Sequence, residues 1–203
     1  MDGKGRPRDN KMKKSRAETA ETRKKIIDAA SRLFRRDGIH ATGLAEVMSE
    51  AGLTHGGFYR HFNSKEQLVT EAFCAGSDGL YHTVEAVVGN KTGKRAVKAI
   101  IDNYLSPRHK DNPGAGCAFA SMGAELGRAD DNTRAAVSED FLRLVDAIAK
   151  HMPEKKPSAA RADALFTLSA MVGALTMSRA VNDPKLSASI LAAAKDRLTP
   201  RAE

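Results

Sequence analysis

The sequence predicts an all-α fold of about nine helices, a short three-helix unit at the N-terminus followed by a longer helical bundle. Three observations predict it. Apolar residues recur at three- and four-residue spacing along most of the chain, the period of a helix with one buried face. Gly, Pro and Asp/Asn clusters cut that pattern into segments. No stretch alternates apolar and polar residues as a strand would, and no repeat of fixed period occurs.

Residues 1–17 carry many charges and no apolar period, which predicts a disordered basic arm. From Thr22 the pattern turns helical, with Ile26, Ile27, Ala30, Leu33 and Phe34 on one face and Gly38 as the C-cap. A short helix follows over 43–51. Thr42 precedes it, Leu44, Val47, Met48 and Ala51 face inward, and Gly52 closes it. Thr54 N-caps a second short helix, 55–62, and Ser64-Lys-Glu-Gln67 forms a capping box that starts a long one. Helices are then expected near 65–89, 94–106, 117–128, 131–152, 158–181 and 184–198, the last introduced by Asp183 as N-cap and Pro184 at the first helical position. Ser106 to Gly116 reads as a loop. The expected domains are a reader over 18–64 and a second domain over 65–203.

Hydrophobic residues make up 41% of the 203 and charged residues 29%, as in a soluble globular protein. Cys74 and Cys117 are too few for a disulfide framework or a four-ligand zinc site, which fits a reducing, cytoplasmic setting. The longest uncharged helical run, Ala164 to Ser178, spans 15 residues and is short for a membrane crossing. No paired His or Cys at metal-ligand spacing occurs, so no metal site is expected. No phosphate- or dinucleotide-binding glycine pattern occurs either, so neither a cofactor nor an enzymatic activity is expected. The net charge of +8 is unevenly placed. Through Lys65 there are 15 Lys/Arg against 8 Asp/Glu, and beyond it 18 against 17. The excess sits at the N-terminal end, the electrostatic footprint of contact with nucleic acid or an anionic surface.

The two short helices joined by Gly52-Leu53-Thr54 have the proportions of a helix-turn-helix. Phe58 and Phe62 anchor the second helix, which leaves Thr54, His55, Gly56, Gly57, Tyr59, Arg60 and His61 for a partner. Two glycines in so short a helix cost on the order of 2 kcal/mol of propensity. They let a backbone approach bases or phosphates closely.

Residues Gly38 to Leu68 resemble the DNA-binding signature of the TetR family, with matches at Gly38, Thr42, Val47, Ala51, Gly52, Leu53, Thr54, Gly56, Phe58, Tyr59, His61, Phe62, Lys65, Glu66 and Leu68. Gly43 and Met48 depart from the usual pattern. The resemblance implies an N-terminal helix-turn-helix domain, a C-terminal ligand-sensing and dimerisation domain, and double-stranded operator DNA as partner. It implies phosphate contacts from Thr42, Thr54, Tyr59, His61 and Lys65, and base reading by His55, Gly56, Gly57 and Arg60. Thr42 and Lys65 lie at expected helix N-termini, which favour phosphate.

For the C-terminal part the resemblance implies a two-fold, four-helix interface in a homodimer. Leu165, Leu168, Val172, Gly173 and Thr176 form one stripe at helical spacing, and Leu186 and Ile190 belong to a second. Tyr81, Tyr104, Met122, Phe141 and Phe166 are core residues by default, some of which the resemblance would place around a small apolar or amphipathic effector held among the helices of roughly 80–180. Cys117 opens a helix, whose dipole can lower a thiol pKa, so a reactive effector is a variant of the same expectation. A repressor and an activator would share this reader. An enzyme or transport protein on a helical bundle is the rival from another class, and the Gly-Gly-Phe-Tyr-Arg-His-Phe segment argues against it.

Overall fold

The computed structural model describes the backbone of residues 8–153 and 156–200 and the side chains of 16–153 and 156–200. Among these residues there are nine α-helices and no strand. They are α1 (Arg8–Asp37), α2 (Leu44–Glu50), α3 (Lys65–Val88), α4 (Gly93–Tyr104), α5 (Pro107–Asp111), α6 (Ala118–Leu126), α7 (Asp131–Ala149), α8 (Pro157–Ala180) and α9 (Pro184–Leu198). Two 3-10 turns, His55–Arg60 and Pro113–Ala115, complete the chain.

The N-terminal unit closes around α1, whose Ile26, Ala30, Leu33 and Phe34 meet Val47 and Met48 of α2 and the rings of Phe58 and Phe62. Burying a large apolar side chain contributes about 1.5–3 kcal/mol, and all of these residues but Ala30 are of that kind. Gly38 (φ +93°) and Gly52 (φ +74°) end α1 and α2 in the left-handed region, as the sequence predicts. The long helix α3 packs on α1 and on α7 and joins the reader to the bundle. Its contact with α1 is close because Ser31 donates to the Ala72 carbonyl at 2.7 Å and Gly76 has no side chain.

Two expectations need correction. The arm expected to be disordered over 1–17 is helical from Arg8, while residues 1–7 lie outside the described residues. Between Pro7 and Gly38 no Pro or Gly interrupts the chain, and high charge weakens burial without forbidding a helix. The loop expected over 106–116 contains α5, with Ser106 accepting from the His109 N–H as N-cap and Pro107 at the first turn. At the starts of α3 and α9 the capping signals hold. Ser64 accepts from Gln67 N–H, although the Gln67 side chain reaches back to Asn63 N–H, and Asp183 caps α9.

Candidate nucleic-acid interface

The segment expected as a helix over 55–62 is a six-residue 3-10 turn. Its paired glycines withdraw α-helical propensity, and the i to i+3 bonds from Gly57 N–H to Thr54 (3.0 Å) and from His61 N–H to Phe58 (2.9 Å) set the tighter winding. Phe58 and Phe62 hold the turn from behind, fully buried with ring centroids 5.5 Å apart.

The outer side is open. Thr54, His55, Gly56, Tyr59 and Arg60 are exposed, and Gly57 and His61 are half-buried. Tyr59 is 69% exposed, large for an aromatic side chain. The Thr54 hydroxyl makes no capping bond. His61 Nδ1 is buried with no hydrogen-bond partner among the described residues. Neither glycine is required by the chain. Both avoid the left-handed region, a Cβ on Gly56 would meet nothing within 4 Å, and one on Gly57 would meet only Met48 Cε at 3.6 Å.

Thr42 and Lys65 are placed differently from expectation. Thr42 is fully buried, and its hydroxyl donates to the Gly38 carbonyl at 2.7 Å, so that side chain does not face a partner. Lys65 donates to the carbonyls of Ile39 (2.8 Å) and Thr42 (2.7 Å), with its ammonium 5.9 Å from the Phe34 ring centre. It locks the α1–α2 connection. The sequence, which points Lys65 at a phosphate, cannot show that carbonyls 23 and 26 residues away come within reach.

Sequence reasoning missed two supporting residues. Arg23 of α1 donates to the His61 carbonyl at 3.3 Å, pairs with Glu71, and lies 4.5 Å above the Phe62 ring. It positions the end of the turn. Glu125 of α6 accepts from the amides of Ile39 (3.0 Å) and His40 (2.9 Å) and bonds the His40 ring at 2.7 Å. It clamps the bundle to the reader. Burial pushes the Glu125 carboxyl up, but those bonds outweigh it and hold the pKa below its ordinary value. Neither residue stands in a motif, so no local signal marks it.

On α8 the buried face carries Ala164, Thr167, Leu168, Met171 and Leu175, while Leu165 and Phe166 are exposed, as are Gly173, Thr176 and Met177. Leu186 of α9 is exposed beside them, with Val172 and Ile190 half-buried. Leu168, expected at a subunit interface, therefore points into the core, and Phe166, expected near an effector, lies on the outer stripe at 66% exposure. Helical spacing shows that two faces exist and not which one faces in. Tyr104, Cys117 and Met122 are buried in the core, with Tyr81 and Phe141 packed against it. Burial pushes the Cys117 thiol pKa up, opposite to the expected helix-dipole effect, and Cys74 rises to about 11 for the same reason. Among the described residues no group of three or more His, Cys, Asp or Glu could hold a metal, and no helix is long and apolar enough to cross a membrane.

The fold and the open turn define a helix-turn-helix protein with an appended helical bundle. The profile described as "Bacterial regulatory proteins, tetR family" matches residues 26–72, and that of "Transcriptional regulator LmrA/YxaF-like, C-terminal domain" matches 94–192. The chain is 42% identical over 59 residues to the HTH-type transcriptional regulator AcrR of Shigella flexneri, covering 29% of this chain and 27% of that one. With an uncharacterized HTH-type transcriptional regulator of Pseudomonas putida, TtgW, it shares 31% identity over 99 residues, 48% of this chain and 74% of the relative. A TetR transcriptional regulator structure from Chloroflexus aurantiacus superposes with a TM-score of 0.74 at 23% identity, covering 90% of this chain and 94% of that one. The chain belongs to the TetR family of bacterial regulatory proteins, which are DNA-binding transcriptional regulators and not enzymes.

Proposed function

We propose that this chain is a homodimeric, cytoplasmic transcriptional repressor. Its reader over 18–64 binds a pseudo-palindromic operator, and its second domain over 65–203 dimerises and takes a small-molecule effector that releases the DNA. The observation that carries the reading is the outward glycine pair. Neither packing nor a left-handed backbone demands glycine at 56 or 57, and the bare backbone there leaves room for a close approach from outside the chain. In this reading Thr54, Tyr59 and His61 hold phosphates, while His55, Arg60 and the glycine backbone meet base edges in the major groove. The outer stripe of α8 and α9, with Leu165, Phe166, Val172, Gly173, Thr176, Leu186 and Ile190, is the two-fold contact. One six-residue turn reads few base pairs, so specificity calls for two copies roughly 34–36 Å apart on the duplex.

The test is a titration of the full chain against duplexes from its own promoter region, with single half-sites as controls. A palindromic duplex should bind far more tightly than either half-site, and log Kd should change steeply with log salt. Equal affinity for a half-site and the palindrome, or no salt dependence, would overturn the proposal.

A further inference from the structure

A cavity of about 480 Å³ lies where α1, α3, the end of α4 and α5 meet. Its α1 wall carries Arg32 and Arg35, and its α5 wall carries Arg108 and His109. No Asp or Glu is among the lining residues. None of the six residues expected around an effector lines it. From this arrangement we infer that the cavity binds a small anionic molecule, a carboxylate or phosphate on a compact apolar body. We further infer that the occupied cavity adjusts how α1, the spine of the reader, sits on the bundle. The second part rests on the regulatory reading above; the first does not.

The charges are available. Arg35 is half-buried, donates one hydrogen bond to the Gly114 carbonyl at 3.0 Å, and has no carboxylate partner among the described residues. Arg108 is exposed and has no ion pair among the described residues. Arg32 is paired, with Glu50 at the end of α2 at 3.1 Å. Guanidinium groups match carboxylate and phosphate oxygens with two parallel N–H donors, and a partly desolvated one gains most from an anion. His109 adds no charge. Its Nδ1–H donates to the Tyr104 carbonyl at 2.7 Å and its Nε2 accepts from Cys117 N–H at 2.9 Å, which fixes the neutral form. Burial lowers its pKa in the same direction. Ser106, Asn103 and Asn112 offer further polar groups at the rim.

The walls are preformed. Arg179 of α8 donates to the carbonyls of His109 (2.7 Å) and Lys110 (3.0 Å) and to the Ser121 hydroxyl (3.1 Å), which fixes the α5 segment. On the α3 side Ala75, Gly76, Gly79 and Leu80 give a low apolar wall. A Cβ on Gly79 would meet nothing within 4 Å, so the space beside it is free. A cavity of this size suits a small ligand, with apolar walls for its body and a few convergent polar groups for its head. An anion shared by Arg35 and Arg108 would draw α1 and α5 together. One that takes Arg32 from Glu50 would act on α2 directly.

Calorimetry on the full chain, with benzoate and phenyl phosphate as probes, tests the site. Benzamide and benzyltrimethylammonium are the neutral and cationic controls. At least one anion should bind and the controls should not, and the better anion identifies the head group. Arg108→Gln and Gly79→Leu should each weaken that anion tenfold or more while the thermal melt without ligand is retained. Binding of benzamide as tight as the anions, retention in both variants, or no anion binding tighter than about 10 mM would overturn the site. Operator affinity with and without the bound anion is measured separately. A tenfold change supports the coupling and no change overturns it. If the anion binds but the chain recognises no duplex, the regulatory reading fails and the cavity stands.

Discussion

The reading turn and the 106–116 segment both hold glycines in short irregular helices, and the glycines there do opposite things. At Gly116 an added Cβ would lie 2.7 Å from His109 Nε2 and 3.1 Å from Arg179, so the chain's own packing excludes a side chain. At Gly56 the added Cβ would stand in open space. The first glycine is explained by what lies inside the molecule. Nothing in the fold excludes a side chain at the second. The same contrast separates the arginines. Arg179 spends its donors on three groups of the fold, whereas Arg60 and Arg108 are exposed and unpaired among the described residues.

The largest effect on stability is expected at the packed glycine. Gly116→Val should force His109 and Arg179 apart and destabilise the fold by about 1–3 kcal/mol, lowering Tm by roughly 2–4 °C per kcal/mol in a chain of this size. Differential scanning calorimetry reads it, and an unchanged melt would erase the contrast between the two glycines.

Phe166→Asp sharpens the comparison at the bundle's outer face. The residue is 66% exposed within one chain, so the variant should fold. As part of a subunit contact it would bury an unpaired charge. Analytical ultracentrifugation should show a monomer with an unchanged circular dichroism spectrum, and a persistent dimer would place the contact elsewhere.

A smaller effect belongs to the Glu125 clamp between the two regions. Its pKa in the fold is below the ordinary carboxylate value. Its stabilisation is therefore complete above about pH 4.3. It is lost as pH falls through the lower folded value. Protection of the Ile39 and His40 amides from hydrogen exchange, taken relative to the intrinsic rate at each pH, should fall over that acid range in the wild type. In Glu125→Gln the protection should be lower at neutral pH already and should not fall further there. Exchange that is equally protected in the variant would mean the clamp does not hold the connection.

Much of the fold was legible from the chemistry of its boundaries. Gly38, Gly52, Ser64 and Asp183 end or start helices by local capping, and the helix bounds follow from them. At 106–116 the Pro, Gly and Asn residues predict a loop, whereas Ser106 and Pro107 start the short helix α5. The site was legible as a segment and less so as atoms. Which residues of 54–61 face out follows from the two phenylalanines that face in. That Thr42 and Lys65 turn inward depends on carbonyls brought near by the α1–α2 turn, and no periodicity reports that. The inward Leu168 and the outward Phe166 differ by two positions on one apolar helix, a choice that only the neighbouring helices make.

The central claim is that the reading turn keeps glycine for a partner and not for itself. Gly56→Val tests this directly, because a Cβ added at Gly56 meets nothing within 4 Å. Fluorescence anisotropy with the promoter duplex, run beside a thermal melt, is the measurement. The expected outcome is an unchanged or higher Tm and operator affinity reduced at least a hundredfold, equivalent to about 2.7 kcal/mol. A variant that melts normally and binds the operator as tightly as the wild type would contradict it.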